Sequence, residues 1–126
     1  MACVTIGDSI AIGLAQAMRC MDFAKVGRTA RQQAAIMTRI GADRVVISLG
    51  SNDADDAFLV RDLRTVRNGI TSGDVVWIVP YNLRAAELVR HVAREHGDRM
   101  VELGDHVSQD RVHPYSYQEV ARRVRQ

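Results

Sequence analysis

Two stretches of this chain, Val45-Val46-Ile47 and Val75-Val76-Trp77-Ile78-Val79, are apolar at every position instead of at every second one. A strand with one wet face alternates. A strand that is apolar throughout must be covered on both faces, as in a parallel sheet sandwiched between helices. Strand-like runs recur at Ala2–Ile6, Phe23–Val26, Arg44–Leu49, Asp74–Val79 and Arg99–Leu103. Between them the apolar residues take a helical period: Ile10, Leu14, Met18 and Met21, then Ala30, Ala34, Met37 and Ile40. Leu59, Leu63, Val66 and Ile70 form a third stripe. Ala85, Leu88, Val92 and Ala93, ahead of Gly97, form a fourth. A last helix carries Tyr117, Val120, Ala121 and Val124 behind the capping-box pattern Ser116-Tyr117-Gln118-Glu119. This alternation predicts an α/β fold of three layers (α/β/α) around a five-stranded parallel sheet, flavodoxin-like with strand order 2-1-3-4-5. At 126 residues it predicts one domain, residues 1–126.

In such sheets a ligand binds beyond the carboxyl ends of the strands, and the polar motifs collect there. Gly7-Asp8-Ser9 closes the first strand where a helix begins, so the Ser9 hydroxyl stands over the sheet edge. Its backbone N–H is one of the unpaired donors of a helix N-terminus. Val26-Gly27-Arg28-Thr29 closes the second strand and Leu49-Gly50-Ser51-Asn52-Asp53 the third. Asp110-Arg111-Val112-His113-Pro114 lies in the loop ahead of the last helix. Any one of these is ordinary turn or cap chemistry; four in order at strand ends are not.

Together the four segments resemble the conserved blocks of the SGNH (GDSL-type) esterase family, from Gly7 to Pro114, with Ile10 where the family name has leucine. The resemblance implies a serine hydrolase acting on short acyl esters, acetyl groups on carbohydrate among them, through an acyl-enzyme. Ser9 would be the nucleophile, His113 the base and Asp110 the group that orients it. The oxyanion hole would combine the backbone N–H groups of Ser9 and Gly27 with the Asn52 side-chain amide. Lacking the insertions that commonly build substrate pockets, the chain is expected to have an open, shallow site. Two other readings of the same residues are a flavodoxin-like module for a phosphorylated small molecule, which would not need His113, and a catalytically idle glycan-binding or scaffolding domain.

No cofactor is expected. The four histidines lack zinc-ligand spacing, and Asp53-Ala54-Asp55-Asp56 is read as a capped helix start instead of a metal site. Ser51 reads as a turn residue and His106, beside Asp105, as a decoy base; His91 and His96 belong to a solvent-facing helix surface. Asp8 is expected to cap the first helix. A net charge of +2 gives no sign of a nucleic-acid partner, and the basic Arg122-Arg123-Val124-Arg125 reads as a solvated helix end. No apolar run reaches membrane-spanning length. Partners are therefore expected to be small-molecule or glycan esters, with neither nucleic acid nor membrane. Cys3 and Cys20 are expected to be free thiols in a reduced compartment, and with no signal peptide before the first strand the location is expected to be cytoplasmic.

Overall fold

Alternate residues of the central strands feed two separate cores in the computed structural model, which describes residues 2–126. The strands are β1 (Cys3–Gly7), β2 (Met21–Ala24), β3 (Ile40–Gly41), β4 (Arg44–Ser48), β5 (Ile70–Thr71), β6 (Val75–Val79) and β7 (Arg99–Glu102). The helices are α1 (Ser9–Met18), α2 (Ala30–Ile36), α3 (Leu59–Asn68), α4 (Leu83–His96) and α5 (Tyr117–Arg125). Val45, Ile47, Trp77 and Val79 face one way, into a core completed by Leu59, Leu63 and Val66 of α3 and Ala85, Val89 and Val92 of α4. Val46, Val76 and Ile78 face the other way, onto Ile10 and Leu14 of α1 and Val120 and Val124 of α5. Burial on both faces is what the unbroken apolar runs demand.

The main sheet is wholly parallel, in the order β2-β1-β4-β6-β7. Numbered among themselves, its five strands run 2-1-3-4-5, as the sequence predicts. Two short strands escape the sequence reading. Ile40 and Ile70, read there as the last members of helical stripes, instead pair β3 with β5 in a separate two-stranded ribbon. Met21, assigned to the first helical stripe, opens the edge strand β2 and is half exposed.

The end of α1 accounts for a further correction. Arg19 adopts a left-handed conformation (φ 58°), and both its N–H and that of Cys20 turn back to the Ala15 carbonyl. This reversal brings Cys20 alongside the start of β1, with Cα atoms 4.9 Å apart, and Cys3 and Cys20 are joined in a disulfide instead of standing as free thiols. A bridge of this kind is characteristic of oxidising compartments. No helix among the described residues is long and apolar enough to cross a membrane.

Candidate active site

Gly7 sets the position of Ser9. Its φ is +131°, and a Cβ there would lie 1.9 Å from the Ser48 carbonyl oxygen, so only glycine lets β1 end this close to β4. The chain then turns into α1 through Asp8, whose Oδ1 accepts from the Ile10 N–H at 3.1 Å and from the Ser48 hydroxyl at 2.9 Å. Asp8 is thus the expected cap, yet it is almost completely buried and its Oδ2 has no partner. Burial pushes its carboxyl up to about 6, against the opposing hydrogen bonds from Ser48 and the backbone. Ser9, one residue on, is part-exposed at the first position of α1.

Across the sheet edge, the loop after β7 brings the other residues in. Ser9 Oγ lies 2.7 Å from His113 Nε2, and His113 Nδ1 lies 2.9 Å from Asp110 Oδ2. The three-residue spacing works through a tight turn. Asp110 Oδ1 accepts from the backbone N–H groups of Val112 (2.9 Å) and His113 (2.8 Å), which frees Oδ2 for the imidazole. His113, first through that side-chain bond, holds the Asp110 carboxyl well below the usual carboxylate range. Ser108, which the sequence reading passed over, ties the turn together. Its hydroxyl donates to the His113 carbonyl at 2.6 Å and accepts from the Arg111 N–H at 2.9 Å. Pro114 is buried two residues ahead of the Ser116 cap of α5. With Nδ1–H directed to Asp110, the lone pair of Nε2 faces the Ser9 hydroxyl, the arrangement that removes a proton from a serine.

The remaining expected residues sit on the facing loops. Asn52 donates one amide hydrogen to the Arg28 carbonyl at 3.1 Å, which places it against the Gly27–Arg28 turn and leaves its second amide hydrogen available. Gly27 has a φ of +78° with open space where a side chain would stand. The acidic run has a role other than the expected cap of its own helix. Asp53 Oδ2 reaches across to the N-terminus of α2, accepting from Ala30 N–H at 3.0 Å and Arg31 N–H at 3.4 Å, and so fastens the Asn52 loop to the Gly27 turn. Burial raises the Asp53 carboxyl despite those bonds. Asp56 accepts from the Phe58 N–H ahead of α3 and pairs with Arg31.

Ser51 lines a cleft wall, and the His106 backbone carbonyl accepts from the Tyr81 hydroxyl at 3.1 Å. It is His113, not His106, that reaches Ser9. His91 and His96 are exposed on α4. Among the described residues no cluster of three or more candidate metal ligands occurs. Several open clefts border the site. One of about 300 Å³ is formed by Lys25–Arg28, Gln32 and Ile36, and one of about 360 Å³ by Ser51, Tyr81–Leu83, Arg111 and Val112.

The fold is that of the SGNH hydrolases. An inhibitor-bound aryl esterase from M. smegmatis superposes with a TM-score of 0.69 at 14% identity, covering 99% of both chains. Est24, a carbohydrate acetylesterase from Sinorhizobium meliloti, gives 0.64 at 14%, covering 98% of this chain and 94% of its own. A GDSL-like lipase from Bacteroides thetaiotaomicron gives 0.61 at 14%, covering 96% and 83%. The chain spans only 54% of the length of a further structural neighbour, the protein YxiM from Bacillus subtilis. No model of a protein family and no curated protein matches the sequence.

Proposed function

We propose that this chain is a serine ester hydrolase that removes short acyl groups, acetyl first among them, through an acyl-enzyme. The observation that carries the reading is the continuous relay from Ser9 Oγ through His113 to Asp110, with contacts of 2.7 and 2.9 Å. In this mechanism His113 Nε2 takes the Ser9 proton as Oγ attacks the acyl carbon. Asp110 fixes the tautomer and stabilises the imidazolium. The negative charge that develops on the carbonyl oxygen meets the Ser9 and Gly27 N–H groups and the free Asn52 amide hydrogen; one such donor contributes roughly 3–4 kcal/mol in comparable sites. His113 then passes its proton to the departing alcohol, and water, deprotonated by the same imidazole, releases the acid.

The shallow clefts favour short acyl chains, and their openness admits a carbohydrate carrier, the substrate class named for the Sinorhizobium neighbour. The Cys3–Cys20 bridge supports an oxidising compartment as the setting in which the protein works. A fluorophosphonate probe tests the reading directly. Labelling at Ser9, with turnover of phenyl acetate that exceeds turnover of phenyl octanoate, is the expected result. An unlabelled protein without esterase activity would return the chain to the binding-module reading.

A further inference from the structure

Among the cations that line the cleft beside the His113 loop, Arg111 stands apart. Arg90, which borders the same region, is neutralised by Glu102 through contacts of 2.7 and 2.9 Å. The Arg111 guanidinium pairs with no carboxylate among the described residues. The nearest acid in sequence, Asp110, has both oxygens engaged by His113 and the turn. Arg111 is held in a left-handed backbone conformation (φ 60°), an unfavourable state for a side chain of this size. Its N–H donates to Ser108 Oγ, which holds the backbone from which the side chain projects, two residues before the imidazole. It lines the 360 Å³ cleft together with apolar Leu83 (82% exposed) and Val112 (39% exposed) and the Tyr81 ring. Burial raises the Tyr81 phenol, and the Arg111 charge opposes that rise only weakly.

We propose that this cleft is the alcohol-side subsite, and that Arg111 makes the enzyme selective for esters whose alcohol carries a carboxylate on an apolar or aromatic body. The assignment rests on the ester hydrolase reading above. His113 must hand its proton to the leaving oxygen, so the alcohol lies on the side of the His113 loop, which is the wall that carries Arg111 and Val112. Leu83, Val112 and Tyr81 supply apolar area for the body of the alcohol. The planar guanidinium fork matches a carboxylate and has no internal partner to give up.

The test compares kcat/KM for 4-acetoxybenzoate, phenyl acetate and phenyl hydrogen succinate in the wild type, Arg111→Gln and Arg111→Lys. The first ester carries its carboxylate on the alcohol and the third on the acyl group. Wild-type enzyme should favour 4-acetoxybenzoate over phenyl acetate, and the ratio should fall by about tenfold in Arg111→Gln, the size expected for a charge-assisted hydrogen bond. Arg111→Lys should recover part of it. Using the ratio removes any general loss caused by disturbing the His113 loop. An unchanged ratio, or a preference for the succinate ester that depends on Arg111, would overturn the proposal. NMR titration with 4-hydroxybenzoate against phenol reads the subsite without turnover. If no ester is hydrolysed the ester hydrolase reading falls, while Arg111-dependent binding of the carboxylate would still identify the anion site, and equal binding of both phenols would remove it.

Discussion

At the amino edge of the sheet, Asp74 takes Arg44 at 2.7 Å and Arg99 at 3.0 Å, and Asp98 takes Arg67 at 2.7 Å and the Trp77 indole N–H at 2.9 Å. At the carboxyl edge the balance is different. Asp8 is buried with one oxygen unpartnered, Asp53 is raised by burial, Arg111 meets no acid, and Ser9 is coupled to a histidine 104 residues away. Both edges are built from the same strands, so the contrast does not come from the sheet. Where the chain only has to hold together, charges are matched and the arginine beside Asp74 lowers its carboxyl. Around Ser9 and His113, polarity is left unmatched, and the loops that carry it are held by hydroxyls such as those of Ser48 and Ser108.

The largest effects should come from breaking the carboxyl edge. Ser9→Ala and His113→Ala should each lower ester turnover by roughly 10⁴- to 10⁶-fold, the range seen when a member of such a relay is removed. Thermal melts should move little, because neither side chain lies in the core. His106→Ala is the control and should stay near the wild-type rate; the reverse pattern would transfer the base role to His106. Asp110→Asn should cost about 10⁴-fold by favouring the wrong tautomer.

Breaking the amino edge should do the opposite. Asp98→Ala strips Arg67 and Trp77 of their shared partner at a carboxylate only 6% exposed, and removing one member of a buried pair costs roughly 3–5 kcal/mol. Denaturant melts should register that loss while kcat per folded molecule stays constant. Also at the amino ends of the strands, the Cys3–Cys20 bridge closes a loop of 17 residues around α1. Cys20→Ser should cost about 3 kcal/mol by freeing the unfolded chain, and mild reductant should reproduce the loss in the wild type.

What could be read from the sequence follows the range of the interactions. Period and burial are local, so the five main strands, the five helices and the strand order were legible. So was the Asp110–His113 pair, because a turn of three residues is enough to close it. The disulfide was not, since it depends on Arg19 entering the left-handed region and reversing the chain. Asp53 was misread because its carboxylate serves α2, twenty-three residues earlier, instead of the helix that follows it. Ile40 and Ile70 fit a helical period in sequence, but the helices stop short of them at Ile36 and Asn68, and the two residues meet across the chain. Arg111 gave no signal, since an unpaired cation is defined by what the fold fails to bring near it.

The smallest effect isolates the buried carboxyl of Asp8, next to Ser9 in the chain. Asp8 has an ordinary carboxyl value of 3.8 when unfolded and about 6 when folded, so between those limits the native state binds the proton more tightly. Stability attributable to Asp8 is therefore fully present below about pH 4 and is lost as pH rises to about 6, opposite to the behaviour of Asp74 and Asp110, whose carboxyls are lowered by their partners. Two pKa units correspond to about 3 kcal/mol, and that figure already contains the hydrogen bonds that Ser48 and Ile10 donate to the ionised form. Asp8→Asn keeps an acceptor for both donors but cannot ionise. The difference in unfolding free energy between variant and wild type, followed from pH 4 to pH 7, should shift in favour of the variant as pH rises. A difference that stays flat across that range would mean that Asp8 is solvated or paired in solution, and the contrast between the two edges would then rest on Arg111 and Asp53 alone.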